Sequence, residues 1–251
     1  MRTRWLAGQD MDTPASVRLF CLPYAGGGAA AYRGWTAASP PGLHICPLEL
    51  PGRGRRINEA PFTRLRPLVR ALTDALEDVL DRPFALFGHS MGALIAFELA
   101  RALRARGLPQ PVHLFVSGGA SPDVPRTRPE LHAATDEEVR SELRLLNGTP
   151  GELLDNAELM ELMLPTLRAD FSVLETYEYR DEPPLAVPIT VLGGTADPTV
   201  RLPSLHGWRR QTSEGSRLLL YPGDHFFLHT STDALLTDIG NTLSRRFSAT
   251  P

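Results

Sequence analysis

Phe84-Ala-Leu-Phe-Gly-His-Ser-Met-Gly-Ala93 is the stretch from which the rest of the chain can be read. It holds a G-x-S-x-G pentapeptide, Gly88-His89-Ser90-Met91-Gly92, between an apolar run and a helical pattern. Phe84 to Phe87 is short, apolar and entered from Asp81-Arg82-Pro83, which predicts a buried strand. After Ser90, the apolar residues Met91, Leu94, Ile95, Leu99 and Leu103 recur at helical spacing until Gly107-Leu108-Pro109 stops the pattern. Strand, sharp turn and helix are what a nucleophile elbow needs, because only glycines let the backbone pass so close to the serine. Ser90 is therefore the candidate nucleophile. The plainer alternative is a strand-loop-helix connection whose serine merely caps the helix.

The remaining composition narrows the function classes. With 251 residues, 42% of them hydrophobic, the chain can bury one large core, and a single domain over residues 1–251 is expected. A net charge of −3 argues against nucleic-acid binding. All 26 basic residues are arginine, which excludes a Schiff-base lysine and a P-loop lysine. Cys21 and Cys46 each lie in an apolar run and read as buried free thiols. No segment approaches the length of a membrane span, and the first ten residues lack an apolar stretch after their arginines, so a soluble, cytoplasmic protein is expected; a monomer is expected as well.

Strand-like runs at Val17–Leu22, Leu43–Leu48, Phe84–Phe87, Val112–Ser117, Val187–Leu192 and Arg217–Tyr221 alternate with helical patterns at Leu65–Leu80, Met91–Arg106, Ser204–Gln211 and Thr232–Arg246. This alternation predicts an α/β fold, a mostly parallel sheet with helices on both faces and its site at the carboxyl ends of the strands. Residues 122–184 break the rhythm. Asp136–Leu146 and Leu153–Tyr179 read as helical, with Pro165 as a kink or boundary, and an insertion of this size is expected to form a helical lid. Leu153, Leu154, Leu159, Met160, Met163 and Leu164 give it an apolar face that suits an acyl channel, with Met160 and Met163 as its walls. Packing of that face into a core away from the site is the alternative.

A serine hydroxyl needs a base within hydrogen-bond reach and an acid to hold that base in the right tautomer. Tyr221-Pro-Gly-Asp-His225 and Val191-Leu-Gly-Gly-Thr-Ala-Asp197 both follow predicted strands, which makes His225 the candidate base and Asp197 its acid. The chain order Ser90, Asp197, His225 is that of the α/β-hydrolases. Asp123 is an alternative acid one strand earlier. His89 reads as packing, and His225 with His229 lacks the signature of a metal pair. Leu22-Pro-Tyr-Ala-Gly-Gly-Gly28 after the first strand suits an oxyanion hole, with the N–H groups of Ala25 and Met91 as its donors.

Taken together, these segments resemble a discrete type II thioesterase of polyketide and nonribosomal peptide biosynthesis, an α/β-hydrolase. The resemblance rests on Leu22–Gly28, Leu50-Pro-Gly-Arg-Gly-Arg55, Phe87–Ala93, Gly193–Pro198 and Pro222-Gly-Asp-His-Phe-Phe-Leu228, spread over nearly the whole chain. It implies hydrolysis of acyl groups from the phosphopantetheine arm of acyl or peptidyl carrier proteins through an acyl-serine, in editing of stalled or misprimed chains, without metal or bound cofactor. Small acyl thioesters are substrates of the same chemistry. A carboxylesterase or acyltransferase on a small free substrate, and a catalytically silent binding protein, are the other readings. Arg53, Arg55 and Arg56 cluster beside Pro51-Gly52, where Arg55 in particular is expected to help dock an acidic carrier; a solvated loop with no partner is the alternative.

Overall fold

Short, largely apolar runs build a six-stranded sheet in this computed structural model, which describes residues 2–7, 11, 13, 15–148 and 151–248, without the side chains of residues 2, 3, 153 and 246–248. The strands are β1 (Val17–Leu22), β2 (Leu43–Pro47), β3 (Phe84–His89), β4 (His113–Ser117), β5 (Ile189–Gly194) and β6 (Ser216–Tyr221). Their order is β2-β1-β3-β4-β5-β6, and every pairing between them is parallel. The two-residue period of a strand sorts the side chains: Phe20, Leu22, Phe84, Leu86, Leu114 and Val116 face one core, Leu19, Cys21, Ala85, Phe87 and Phe115 the other. Cys21 and Cys46 are buried and free, and burial pushes both thiols up.

The helices are α1 (Arg2–Trp5), α2 (Arg33–Ala37), α3 (Leu65–Leu76), α4 (Met91–Ala105), α5 (Asp136–Leu146), α6 (Gly151–Asp155), α7 (Ala157–Glu175), α8 (Leu202–His206), α9 (Phe227–Thr230) and α10 (Thr232–Ser248). The first core is covered by α3 and α4 and the second by α2, α9 and α10, so helices lie on both faces. The predicted helix over 204–211 is instead α8 followed by a 3₁₀ turn at Gly207–Gln211. β5 begins two residues later than expected, because Pro188 has no N–H to give the ladder. It continues through Gly193 and Gly194, where the next loop passes so close that a Cβ on Gly194 would lie 2.2 Å from the Asp224 carbonyl oxygen.

Between β4 and β5, three helices pack around their own cluster of Leu131, Val139, Leu143, Leu154, Met160, Leu164, Leu167 and Phe171. α5 starts at a capping box in which Thr135 and Glu138 satisfy each other's backbone N–H groups. The predicted helix over 153–179 is broken at Asn156, whose side chain accepts from Leu159 N–H at 3.1 Å and so starts α7. Pro165 is not the boundary. It sits inside α7 on an exposed face, where the Glu161 carbonyl that loses its partner is open to water.

Candidate active site

Ser90 joins β3 to α4 at φ +54° and ψ −113°, a conformation that non-glycine residues adopt only when their surroundings hold them there. Its N–H donates to Ser117 O at 2.7 Å, and its carbonyl accepts from Ala93 N–H at 3.0 Å. The flanking glycines are required by close approach: a Cβ on Gly88 would lie 1.9 Å from Gly92 O, and one on Gly92 would lie 2.2 Å from Leu22 O. The first turn of α4 is thus pressed against the beginning of the Leu22–Gly28 loop.

His225 follows β6, and its Nδ1 lies 2.7 Å from Asp197 Oδ2, on the turn after β5. Both side chains are buried, at 4% and 2% exposure. Asp197 Oδ1 accepts from Thr199 N–H at 2.8 Å, Thr199 Oγ1–H at 2.7 Å and Val200 N–H at 3.2 Å. Burial pushes the Asp197 carboxyl up, but His225 and then Thr199 together outweigh it and hold the carboxyl below its ordinary value. Thr195 N–H donates to Tyr221 O at 2.9 Å and Ala196 N–H to Gly223 O at 2.8 Å, so main-chain bonds stitch the acid's turn to the histidine's loop.

The predicted acid and base are therefore bonded, and the serine stands on the elbow after β3. Among the described residues no hydrogen bond joins the Ser90 hydroxyl to His225; such contacts often tighten only when substrate is present. The link between them is His89, next to Ser90, whose ring lies 5.1 Å from that of His225. His89 is fully buried, with Nδ1 2.9 Å from Ser117 Oγ, and burial followed by His225 and His229 drives its pKa well below the ordinary histidine value. It packs as a neutral ring. Asp123 does not face His225; Ser121 and Arg210 engage it instead. His229 is 3.2 Å from the Tyr24 hydroxyl.

Tyr24, Ala25, Gly26 and Gly27 form a tight turn closed by Gly27 N–H to Tyr24 O at 2.9 Å, with Gly26 at φ +74°. Gly26 N–H donates to Asp170 Oδ2 at 2.8 Å. Gly27 and Gly26 are thereby engaged, while the N–H groups of Tyr24 and Ala25 have no hydrogen-bond partner among the described residues. Met91 N–H belongs to the first turn of α4, where no intrahelical acceptor exists.

Two expectations need correction. Of the three arginines beside Pro51-Gly52, only Arg55 is exposed: Arg53 is buried on Asp170, and Arg56 lies 4.0 Å over the Trp5 ring and bonds to Glu49 O and Glu59. Met160 is fully buried among Leu131, Val139, Leu143 and Phe171, so the structure favours core packing for it, while Met163 is half-buried at the edge of that cluster. Leu159 is partly exposed, and the side chain of Leu153 lies outside the described residues. Sequence reasoning missed Thr199, although Asp197-Pro198-Thr199 is a spacing at which an Asp side chain captures the N–H two residues on. It also missed Asp170, which no local motif marks.

The model of the thioesterase domain family matches residues 17–243. The chain is 45% identical over 228 residues to the gramicidin S biosynthesis protein GrsT of Aneurinibacillus migulanus, covering 91% of this chain and 89% of that protein. Among solved structures, RedJ, a thioesterase from the prodiginine biosynthetic pathway of Streptomyces coelicolor, superposes with a TM-score of 0.85 at 41% identity, over 92% of this chain and 87% of RedJ. BorB, a type II thioesterase from the borrelidin biosynthetic cluster, superposes with a TM-score of 0.83 at 38% identity, over 91% of this chain and 93% of BorB. A parallel sheet with a serine elbow, a buried His-Asp pair at the neighbouring strand ends and a match running almost end to end make this chain an α/β-hydrolase that belongs to the thioesterase family.

Proposed function

We propose that the chain removes acyl groups from the phosphopantetheine arm of acyl or peptidyl carrier proteins in a polyketide or nonribosomal peptide assembly line, clearing stalled or misprimed chains. Ser90 attacks the thioester carbonyl while His225 takes its proton, and Asp197 holds the imidazole and stabilises its charged form. The N–H groups of Ala25 and Met91 receive the oxyanion. Collapse of the tetrahedral intermediate expels the pantetheine thiolate, which takes the proton from His225. Water activated by His225 then hydrolyses the acyl-serine. Small acyl thioesters follow the same route, Arg55 and Met163 contact the incoming substrate, and the protein works as a single-domain, cytoplasmic monomer with no cofactor of its own.

The observation that carries this reading is the buried His225–Asp197 pair held at 2.7 Å beside the strained Ser90 elbow. The similarity to RedJ and BorB, both thioesterases of biosynthetic pathways, supports the carrier-bound substrate. The test compares parent and Ser90→Ala on acyl-carrier protein, acyl-CoA and simple esters. The expected result is a preference for the carrier-bound acyl group and a loss of about 10⁴-fold or more in the variant. Equal kcat/KM on carrier and simple ester would favour the small-substrate esterase instead.

A further inference from the structure

Among the described residues, one buried ion pair lies outside the proposed catalytic machinery. Arg53 and Asp170 are both buried, and their side chains meet in a two-pronged bond, with Nη1 to Oδ2 and Nη2 to Oδ1 both at 2.7 Å. Taking two charges out of water is costly, and replacing such a pair by apolar residues is often neutral or stabilising, so fold stability alone explains it poorly. What distinguishes this pair is its other partners. Asp170 Oδ2 also accepts Gly26 N–H at 2.8 Å, and Arg53 Nη1 also donates to Gly27 O at 2.9 Å. The pair thus grips two consecutive residues of the turn that carries Ala25.

Closed by Gly27 N–H to Tyr24 O and with a positive φ at Gly26 alone, that turn is of type II. Types I and II differ by inversion of the central peptide, here Ala25–Gly26, and glycine at the third position tolerates both. A carboxylate that accepts Gly26 N–H selects type II, because the inverted peptide would aim the Ala25 carbonyl at it. α7 adds two further contacts: Leu167 lies where a Cβ on Gly26 would sit, 2.6 Å away, and Thr166 Oγ1 donates to Gly52 O at 2.7 Å, steadying the loop that carries Arg53.

We infer that Arg53 and Asp170 are positioning residues that anchor the Tyr24–Gly27 turn through Gly26 N–H and Gly27 O and so hold Ala25 N–H in place for the oxyanion, and that this stretch of α7 is a fixed buttress of the site. The inference rests on the proposed serine mechanism. Its consequence is that the last turns of the lid set the rate of reaction, independently of how tightly substrate binds.

The experiment uses two variants, Asp170→Asn and the double replacement Asp170→Leu with Arg53→Met, which removes both charges together. Each is measured with a short acyl-N-acetylcysteamine thioester for kcat and KM, an alkyl boronic acid as a tetrahedral mimic, endpoint labelling by a serine-directed phosphonate to count intact sites, and thermal unfolding. The expected result for folded protein is full endpoint labelling, KM within about threefold of parent, kcat per labelled site lower by about 10- to 100-fold, and boronate affinity weaker by a similar factor. A kcat per site within threefold of parent, or a lowered kcat with unchanged boronate affinity, overturns the inference. So does failure of both variants to fold, which would make the pair a folding determinant. Ser90→Ala is run alongside: turnover surviving in that variant defeats the serine mechanism and this inference with it, whereas an inert Ser90→Ala beside normal strut variants defeats this inference alone.

Discussion

Asp197→Asn tests the proposed site most sharply, because the structure dictates how the amide must sit. Asp197 Oδ1 receives two backbone N–H groups, from Thr199 and Val200, and the Thr199 hydroxyl, while Oδ2 faces His225 Nδ1. An asparagine there keeps its oxygen on the Thr199 side, since its NH₂ has nothing to donate to two N–H groups. The NH₂ then faces His225 Nδ1, which must become the acceptor, and the ring proton moves to Nε2. Ser90 is left facing an N–H where it needs a lone pair. Inverting the amide restores the tautomer but leaves two buried donors unsatisfied, at about 1–3 kcal/mol each. The resulting penalty of about 2–6 kcal/mol corresponds to a rate loss of roughly 30-fold to a little over 10⁴-fold, and the upper part of that range is expected by comparison with other triads. Steady-state kinetics on an acyl thioester should show the loss in kcat with KM little changed, while circular dichroism shows an unaltered fold. An Asp197→Asn enzyme within tenfold of the parent kcat would refute the assignment.

Three further predictions follow from burial. His89 has a folded pKa far below its unfolded value, so the unfolded chain binds the extra proton first as the medium is acidified. Its neutral burial therefore costs stability at low pH: below about pH 6.5 the unfolding free energy should fall by up to about 1.4 kcal/mol per pH unit from this group, and urea titrations of parent and His89→Gln should differ in that slope. Equal slopes would mean that His89 is not held neutral. Met160→Ala, at a fully buried position, should destabilise the lid by about 2–5 kcal/mol, seen as faster amide exchange in α5–α7 with β3 and β4 unchanged, whereas Met163→Ala at the half-buried edge should shift kcat/KM toward longer acyl chains. An unaltered chain-length profile for Met163→Ala removes it from the channel wall.

How much of this was legible in the sequence depends on how local each determinant is. The elbow, β1 to β4 and the capping box of α5 are written in neighbouring residues: apolar runs, glycines at close approaches, a Thr and a Glu three apart. Asp197 and His225 were found because each sits just past a strand end, although the bond between them spans 28 positions. The arginines were misjudged for the opposite reason. Arg53 and Arg55 are indistinguishable in a P-G-R-G-R-R string, and what buries Arg53 is an aspartate 117 residues away. Met160 and Met163 lie on the same helix within one turn, and which of them is enclosed depends on Leu131, Val139 and Phe171, whose approach no periodicity within α7 reports. The break at Asn156 was missed because the proline at 165 is the stronger textual signal, whereas a side-chain cap supplies a hydrogen bond and an exposed helical proline loses one to water.

On the proposed mechanism, the molecule divides into a part that carries chemistry and a part that meets substrate. Ser90 N–H bonds to Ser117 O, Gly118 N–H to Leu192 O, Thr195 N–H to Tyr221 O and Ala196 N–H to Gly223 O, so main-chain bonds join the ends of β3, β4, β5 and β6 in an unbroken series. Because backbone makes these ties, side-chain substitution at the loop surfaces does not loosen them. The three-helix insertion touches the series through Asn147 to Asp224 at 2.9 Å, and reaches the Tyr24–Gly27 turn through Asp170. Substitutions in α5 and α6 should therefore change which acyl groups gain access while leaving the intrinsic rate on a small thioester intact. Substitutions around Thr166–Asp170 should do the reverse, since those residues hold the turn proposed to receive the developing charge. If a set of α5 and α6 variants lowered kcat on the small thioester as much as Asp170→Asn does, the lid would be one cooperative unit and this division would not hold.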